Sequence, residues 1–116
     1  MPSAPELLTF VETKVFTRRI TALGLEDSLR ALQQELLADP EAGDVESGTG
    51  GLRKIRMRDP GRGKGKRGGA RVHYLWLKHK DRIYLIFVYG KNESSKLTSE
   101  QKRELRQIAT QIRGHG

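Results

Sequence analysis

The hydrophobic positions of the chain change their spacing from one segment to the next. Four leucines between Leu25 and Leu36 recur every three or four residues, which predicts an amphipathic helix. Asp39-Pro40 should end this helix, because a residue that precedes proline avoids helical backbone angles. A first strand over residues 7–12 and a short helix over residues 14–23 are predicted before it.

The middle of the chain reads as three strands, over residues 52–57, 70–78 and 82–89. Lys80-Asp81 supplies a tight turn between the last two, so we expect these to form an antiparallel hairpin. The third strand is almost entirely apolar, which is typical of a strand covered on both faces. Residues 41–51 are acidic and rich in glycine, and are interpreted as a connecting loop.

The C-terminal segment has the pattern of a helix with a defined start. Thr98 and Gln101 match the capping box that opens helices, and an apolar stripe runs over residues 105–112. Gly114 is the predicted stop. The order of elements predicts an α+β fold, a small mainly antiparallel sheet with helices packed on one face. At 116 residues the chain should form a single domain over residues 1–116.

The net charge of +8 is confined to one segment. Residues 53–71 contain nine basic residues and one acid, Asp59, whereas the remaining 13 basic and 13 acidic residues cancel. The nine are Arg53, Lys54, Arg56, Arg58, Arg62, Lys64, Lys66, Arg67 and Arg71. A polyanion such as nucleic acid is the natural partner of such a patch, because each neutralised phosphate releases condensed counterions.

Other classes of function are disfavoured by composition. The chain has no cysteine, which excludes disulfides, thiolate metal sites and a cysteine nucleophile. Its longest apolar run, residues 83–89, is far below the ~20 residues of a membrane span, and no secretory signal is visible. The three histidines have no acid at ligand spacing. We therefore expect a cytoplasmic protein with no membrane partner, no bound metal and no cofactor.

Side chains alternate across a strand, so Lys54 and Arg56 should share a face, as should Arg71 and His73. The opposite face holds apolar residues, and Tyr74 with Trp76 is expected in the core there; for Tyr89 either role stays open. The four polar side chains would then line an exposed groove. The glycine-rich loop of residues 61–69 could bring Lys64, Lys66 and Arg67 to a phosphate chain.

A basic groove can also be catalytic, because RNA supplies its own nucleophile, the 2′-hydroxyl. Clustered lysines lower one another's pKa toward the range useful for proton transfer, and arginine can stabilise the phosphorane oxygens through bidentate contacts. Residue chemistry alone leaves two readings open, a nucleic-acid binder without catalysis and a ribonuclease.

Four segments sharpen this choice: "GTGGLRKIRM", "GKGKRGGARVHYLW", "IYLIFVYGKNE" and "LTSEQKRELRQI". In this order they resemble RelE-superfamily toxins, in particular the HigB-like subgroup of bacterial type II toxin–antitoxin modules, and the likeness covers nearly the whole chain. The resemblance implies a microbial RNase-like RelE fold and ribosome-dependent mRNA cleavage that uses the 2′-hydroxyl and no metal. It also implies three partners: mRNA, the 70S ribosome, and a cognate antitoxin, a helix-turn-helix protein of the HigA type.

The resemblance assigns residue roles by position. Arg71 would stabilise the scissile phosphate, Lys54 and Arg56 would activate the 2′-hydroxyl, and Lys91 would support the leaving group. The residues expected to bind RNA are Lys64, Lys66, Arg67, His73, Asn92 and Glu93. The tyrosine that the RelE branch carries on its last helix has no counterpart here, which leaves the general acid and base unassigned. The alternatives are a noncatalytic RNA- or ribosome-binding module and a gyrase-inhibiting toxin of the ParE type.

Overall fold

The computed structural model describes residues 8–57, 69–90 and 96–115. These residues form a five-stranded sheet and three α-helices, with strand order β1-β5-β4-β3-β2. The elements in chain order are β1 Thr9–Glu12, α1 Lys14–Leu23, α2 Glu26–Ala38, β2 Asp44–Val45, β3 Arg53–Met57, β4 Ala70–Leu77, β5 Arg82–Gly90 and α3 Ser99–His115. Only β1 and β5 pair in parallel in this part of the chain. The predicted α+β class and mainly antiparallel sheet are confirmed.

Local capping sets the helix ends. The side chain of Thr13 accepts a hydrogen bond from the N–H of Phe16, and Gly24 ends α1 in the left-handed region with φ 69°. The capping box of α3 is confirmed: Thr98 and Gln101 each accept the other's backbone N–H, at 3.1 and 2.9 Å. The predicted stop at Gly114 is wrong, because α3 continues to His115; a glycine weakens a helix but keeps its backbone hydrogen bonds.

The hairpin of β4 and β5 forms as predicted, with a longer connection than a two-residue turn. Lys78–Lys80 form one turn of 3₁₀ helix, and Asp81 closes it with φ 50°. The pairing of the two strands shifts once, where His73 faces Phe87 but Tyr74 faces Leu85. Ile86 is therefore an extra residue, a β-bulge near the centre of the sheet.

Helices cover both faces of the sheet. The apolar residues of α1 and α2 form one cluster with Val72, Tyr74 and Leu85, whereas Leu105 and Ala109 of α3 form a second cluster with residues of the opposite face, such as Leu75. The expectation that all helices pack on one face is thus wrong in this respect. In β4 and β5, apolar side chains point to both faces of the sheet. Each face therefore needs a layer of helix that covers it.

The acidic, glycine-rich segment of residues 41–51 contains a strand that the sequence did not indicate. Asp44 and Val45 form β2, which pairs with Lys54 and Arg53 at the edge of the sheet. A two-residue strand between loop residues carries too little periodicity to be recognised. Among the described residues, no helix is long and apolar enough to cross a membrane.

Candidate active site

Three basic side chains of β3 and β4 form what we call the cationic face: Lys54, Arg56 and Arg71. The register places Arg56 directly opposite Arg71, and Lys54 directly opposite His73. Residues in direct register project to the same side of a sheet, so the common face predicted from alternation is confirmed. Arg56 is exposed, and Lys54 and Arg71 are partly exposed.

Like charges face each other across β3 and β4 on this face. Two guanidinium groups opposite each other on paired strands repel, whereas an opposite charge at either position would attract. Among the residues that the structure describes, no carboxylate lies within salt-bridge distance of Arg71. A positive potential concentrated in this way favours the binding of an anion.

The carboxylate of Glu46 lies at the border of the cationic face. Its Oε1 atom is 2.9 Å from Nε2 of His73 and 3.6 Å from Nζ of Lys54, and its Oε2 atom is 3.9 Å from Nζ of Lys102. The side chain of Glu46 is only 12% exposed. Three segments that are distant in sequence, β3, β4 and α3, therefore meet at this group.

The loop between β2 and β3 holds Glu46 in place. The N–H of Glu46 donates to the carbonyl of Leu52 at 2.9 Å, and the Thr49 hydroxyl donates to the carbonyl of Glu46 at 2.7 Å. Helix α3 supports the same loop from outside, because guanidinium groups of Arg106 and Arg113 donate to the carbonyls of Gly48 and Gly50. Hydrogen bonds within the loop and from α3 thus hold the backbone that carries Glu46.

The electrostatics of the pair favour an ionised Glu46 and a neutral His73. Burial raises the pKa of Glu46, but the hydrogen bond from His73 and the charges of Lys54 and Lys102 outweigh it, and the pKa is lowered overall. Burial lowers the pKa of His73, and the charges of Lys54 and Lys102 lower it further. Together they outweigh the hydrogen bond and the charge of Glu46, which raise the pKa. An ionised carboxylate only accepts hydrogen bonds, so Nε2 of neutral His73 carries the proton.

His73 has no solvent-accessible surface, so the expectation that it lines an exposed groove and binds RNA is wrong. Its ring lies between Glu46 and Tyr89, and the ring centroids of His73 and Tyr89 are 5.9 Å apart at an interplanar angle of 21°. Tyr89, for which both roles were open, is buried in the α3-side cluster. Burial and the charge of Glu46 raise the pKa of Tyr89, against the effect of Arg71.

The expected core positions of Tyr74 and Trp76 are confirmed, since Tyr74 is fully buried in the cluster under α1 and α2 and Trp76 packs against it. Six predicted site residues lie outside the described residues: Lys64, Lys66, Arg67, Lys91, Asn92 and Glu93. No group of three or more histidine, cysteine or acidic side chains able to hold a metal ion occurs in residues 8–57, 69–90 and 96–115.

Sequence reasoning missed Glu46 and Lys102. Glu46 follows Glu41 and Asp44 in the same acidic loop, and nothing local separates it from them. Lys102 lies on α3, which was expected on the other side of the sheet. The one available signal was His73 itself, because a buried strand histidine usually has a hydrogen-bond partner.

Comparison with known protein families identifies the class of the molecule. A family model described as the RelE toxin of the RelE / RelB toxin-antitoxin system matches residues 10–115. The match spans almost the whole chain, so the chain belongs to this family of toxins. It is accordingly the toxin of a toxin–antitoxin module, and an antitoxin is its partner.

Proposed function

We propose that this toxin is a ribosome-dependent mRNA endoribonuclease of the HigB-like type, which needs no metal and uses the 2′-hydroxyl of its substrate as nucleophile. The observation that carries the proposal is the cationic face, where Lys54, Arg56 and Arg71 project from two rigid paired strands. A rigid sheet holds charges at fixed separations, which a transition state requires and a general phosphate contact does not.

The roles follow from the chemistry of RNA cleavage. Attack of the 2′-oxygen on the adjacent phosphorus gathers negative charge on the non-bridging oxygens and expels the 5′-oxygen of the next nucleotide. Arg71 binds the non-bridging oxygens, because a guanidinium can donate two parallel hydrogen bonds to them. Lys54 and Arg56 lie beside the attacking hydroxyl, where positive charge favours its ionised form.

Residues outside the described part of the chain complete the proposal. Lys91 supports the leaving group, with Asn92 and Glu93 next to it in sequence. Lys64, Lys66 and Arg67 contact phosphates of the message or of ribosomal RNA, since such contacts position a protein without sequence preference. A helix-turn-helix antitoxin of the HigA type is the proposed inhibitor, and the bacterial cytoplasm the proposed place of action.

The test compares Arg71→Ala with Arg30→Ala on a message under translation. Both variants lose one arginine, but Arg30 is exposed on α2, beyond the other face of the sheet, where it pairs with Asp27. We expect Arg71→Ala to lower the cleavage rate by roughly 10²- to 10³-fold, as does removal of a donor to a developing oxyanion, and to abolish growth arrest. Arg30→Ala should cleave like the wild type.

Primer extension on the translated message separates this proposal from its rivals. An endoribonuclease leaves new ends at codon-related positions, whereas a noncatalytic RNA- or ribosome-binding module slows growth without new ends. A gyrase-inhibiting toxin of the ParE type would instead produce DNA breaks. Unchanged cleavage by folded Arg71→Ala would refute the assignment of Arg71.

A further inference from the structure

The geometry points to Glu46 as a positioning residue of the cationic face, one that acts through Lys54. This inference rests on the proposed nuclease function and extends it to a residue of the β2–β3 loop. The side chain of Glu46 is only 12% exposed, so most of its surface faces the protein and not a bound message. Its carboxylate is instead directed at the groups beneath and beside the cationic face.

The ammonium group of Lys54 is placed by its contact with Glu46. A free lysine side chain populates many rotamers, and its ammonium group is a point charge without directional preference. In this protein Oε1 of Glu46 lies 3.6 Å from Nζ of Lys54, whose side chain is 35% exposed. The carboxylate restricts the ammonium to the inner edge of the cationic face and leaves part of it open to a ligand.

Glu46 is itself anchored to the sheet by His73. A carboxylate held only by lysines would move with them, but Oε1 also accepts the Nε2–H of His73 at 2.9 Å, and His73 is completely buried in the sheet. The imidazole is fixed by stacking on Tyr89. Through Glu46 and His73, the ammonium group of Lys54 is thus held in a fixed position relative to β4, the strand that also carries Arg71.

The negative charge of Glu46 opposes the binding of a polyanion. A carboxylate beside a surface that binds a polyanion lowers the affinity for phosphate, so attraction to RNA alone would disfavour an acid here. The side chain of Glu46 is nevertheless kept ionised by three neighbours, His73, Lys54 and Lys102. Loss of its charge should therefore leave binding of the message equal or stronger and at the same time slow the chemical step. A residue with a merely structural role would not separate these two effects.

The experiment measures single-turnover cleavage and message affinity for the wild type, Glu46→Gln and Glu41→Gln on translating ribosomes. Glu41→Gln removes the same charge from an exposed side chain of the same loop region and is the matched control. We expect Glu46→Gln to lower the saturating cleavage rate roughly ten- to a hundredfold, because small displacements of catalytic groups have effects of this size, with affinity equal or tighter. Glu41→Gln should leave the rate unchanged.

A double-mutant cycle tests whether Glu46 acts through Lys54. In a Lys54→Met background, Glu46→Gln should have little further effect on the rate, since the group that it positions is already gone. Rates are expressed per folded molecule, from the near-ultraviolet circular dichroism of each variant. If Glu46→Gln does not fold, Glu46→Asp takes its place, because it keeps the charge but withdraws the carboxylate from Lys54; a slower rate at unchanged affinity is again required.

The outcomes separate the two proposals. Wild-type protein that produces no new message ends overturns the nuclease function and this inference with it. A wild type that cleaves, together with a folded Glu46 variant that cleaves equally fast, overturns the inference alone. Additive effects of Lys54→Met and Glu46→Gln would also overturn it, because Glu46 would then act by another route.

Discussion

The hydroxyl of Tyr74 joins the buried sheet to the segment that leads into β2, and its removal should have a large effect. The hydroxyl accepts the N–H of Gly43 at 2.9 Å and donates to the carbonyl of Pro40 at 2.8 Å, while the ring is fully buried. Burial raises the pKa of Tyr74, so the hydroxyl stays protonated and able to donate. Tyr74→Phe keeps the ring but leaves a donor and an acceptor unpaired.

The size of the effect follows from these two bonds. A buried polar group that loses its partner costs about 1–3 kcal/mol, and the Pro40 carbonyl is only partly buried, so we expect a loss of about 3 kcal/mol in the free energy of unfolding. For a chain of this length that loss corresponds to a decrease of about 12 °C in Tm.

The assay is urea denaturation followed by circular dichroism on toxin freed of its antitoxin, with the denaturant dependence checked for constancy. Tyr84→Phe is the control, because the Tyr84 hydroxyl on neighbouring β5 only accepts a 3.2 Å bond from Arg82 in a partly buried setting. We expect the control to lose under about 1 kcal/mol. Equal losses in the two variants would refute the reasoning that the paired groups at Gly43 and Pro40 are responsible.

Four further predictions concern stability. Gly43→Ala should destabilise the protein by about 1–3 kcal/mol in urea denaturation, since the added Cβ would lie 2.9 Å from a backbone oxygen of β3; wild-type stability would contradict this close approach. Thr98→Ala removes the cap of α3 and should cost about 1 kcal/mol, whereas Thr98→Ser should cost much less. The lowered pKa of His73 means that the unfolded chain binds a proton first, so the free energy of unfolding should fall as pH decreases below about 6.5, and His73→Gln should remove that slope. Glu46, whose pKa is also lowered, adds stability above its ordinary value of 4.5 that is lost as pH falls further, and Glu46→Gln should flatten that second decline.

Much of the fold was predictable because its signals are local. The helix of α1 begins and ends where the pattern placed it, α2 ends before Pro40, and the Thr98 capping box opens α3. These features depend on residues within a few positions of each other. The bulge at Ile86 and the two-residue β2 were not predictable, because each depends on pairing with another strand.

The candidate site also has a part that local pattern predicted and a part that it did not. The alternation of a strand was enough to put Lys54, Arg56 and Arg71 on one face, and the register bears that out. The same alternation placed His73 correctly on that face but wrongly in contact with solvent. Alternation reports the side of the sheet to which a residue points, and it does not report what covers that side.

The sequence by itself determined the order of the elements other than β2, the segment that carries the excess charge and the common face of its basic residues, because helix and strand periods are properties of the backbone. Only the tertiary structure decided that α3 covers the face opposite α1 and α2, and that Glu46 meets His73, Lys54 and Lys102. Those contacts join positions up to 56 residues apart, from 46 to 102. They form because both faces of an apolar sheet must be covered, and no local pattern states which segment will cover which face.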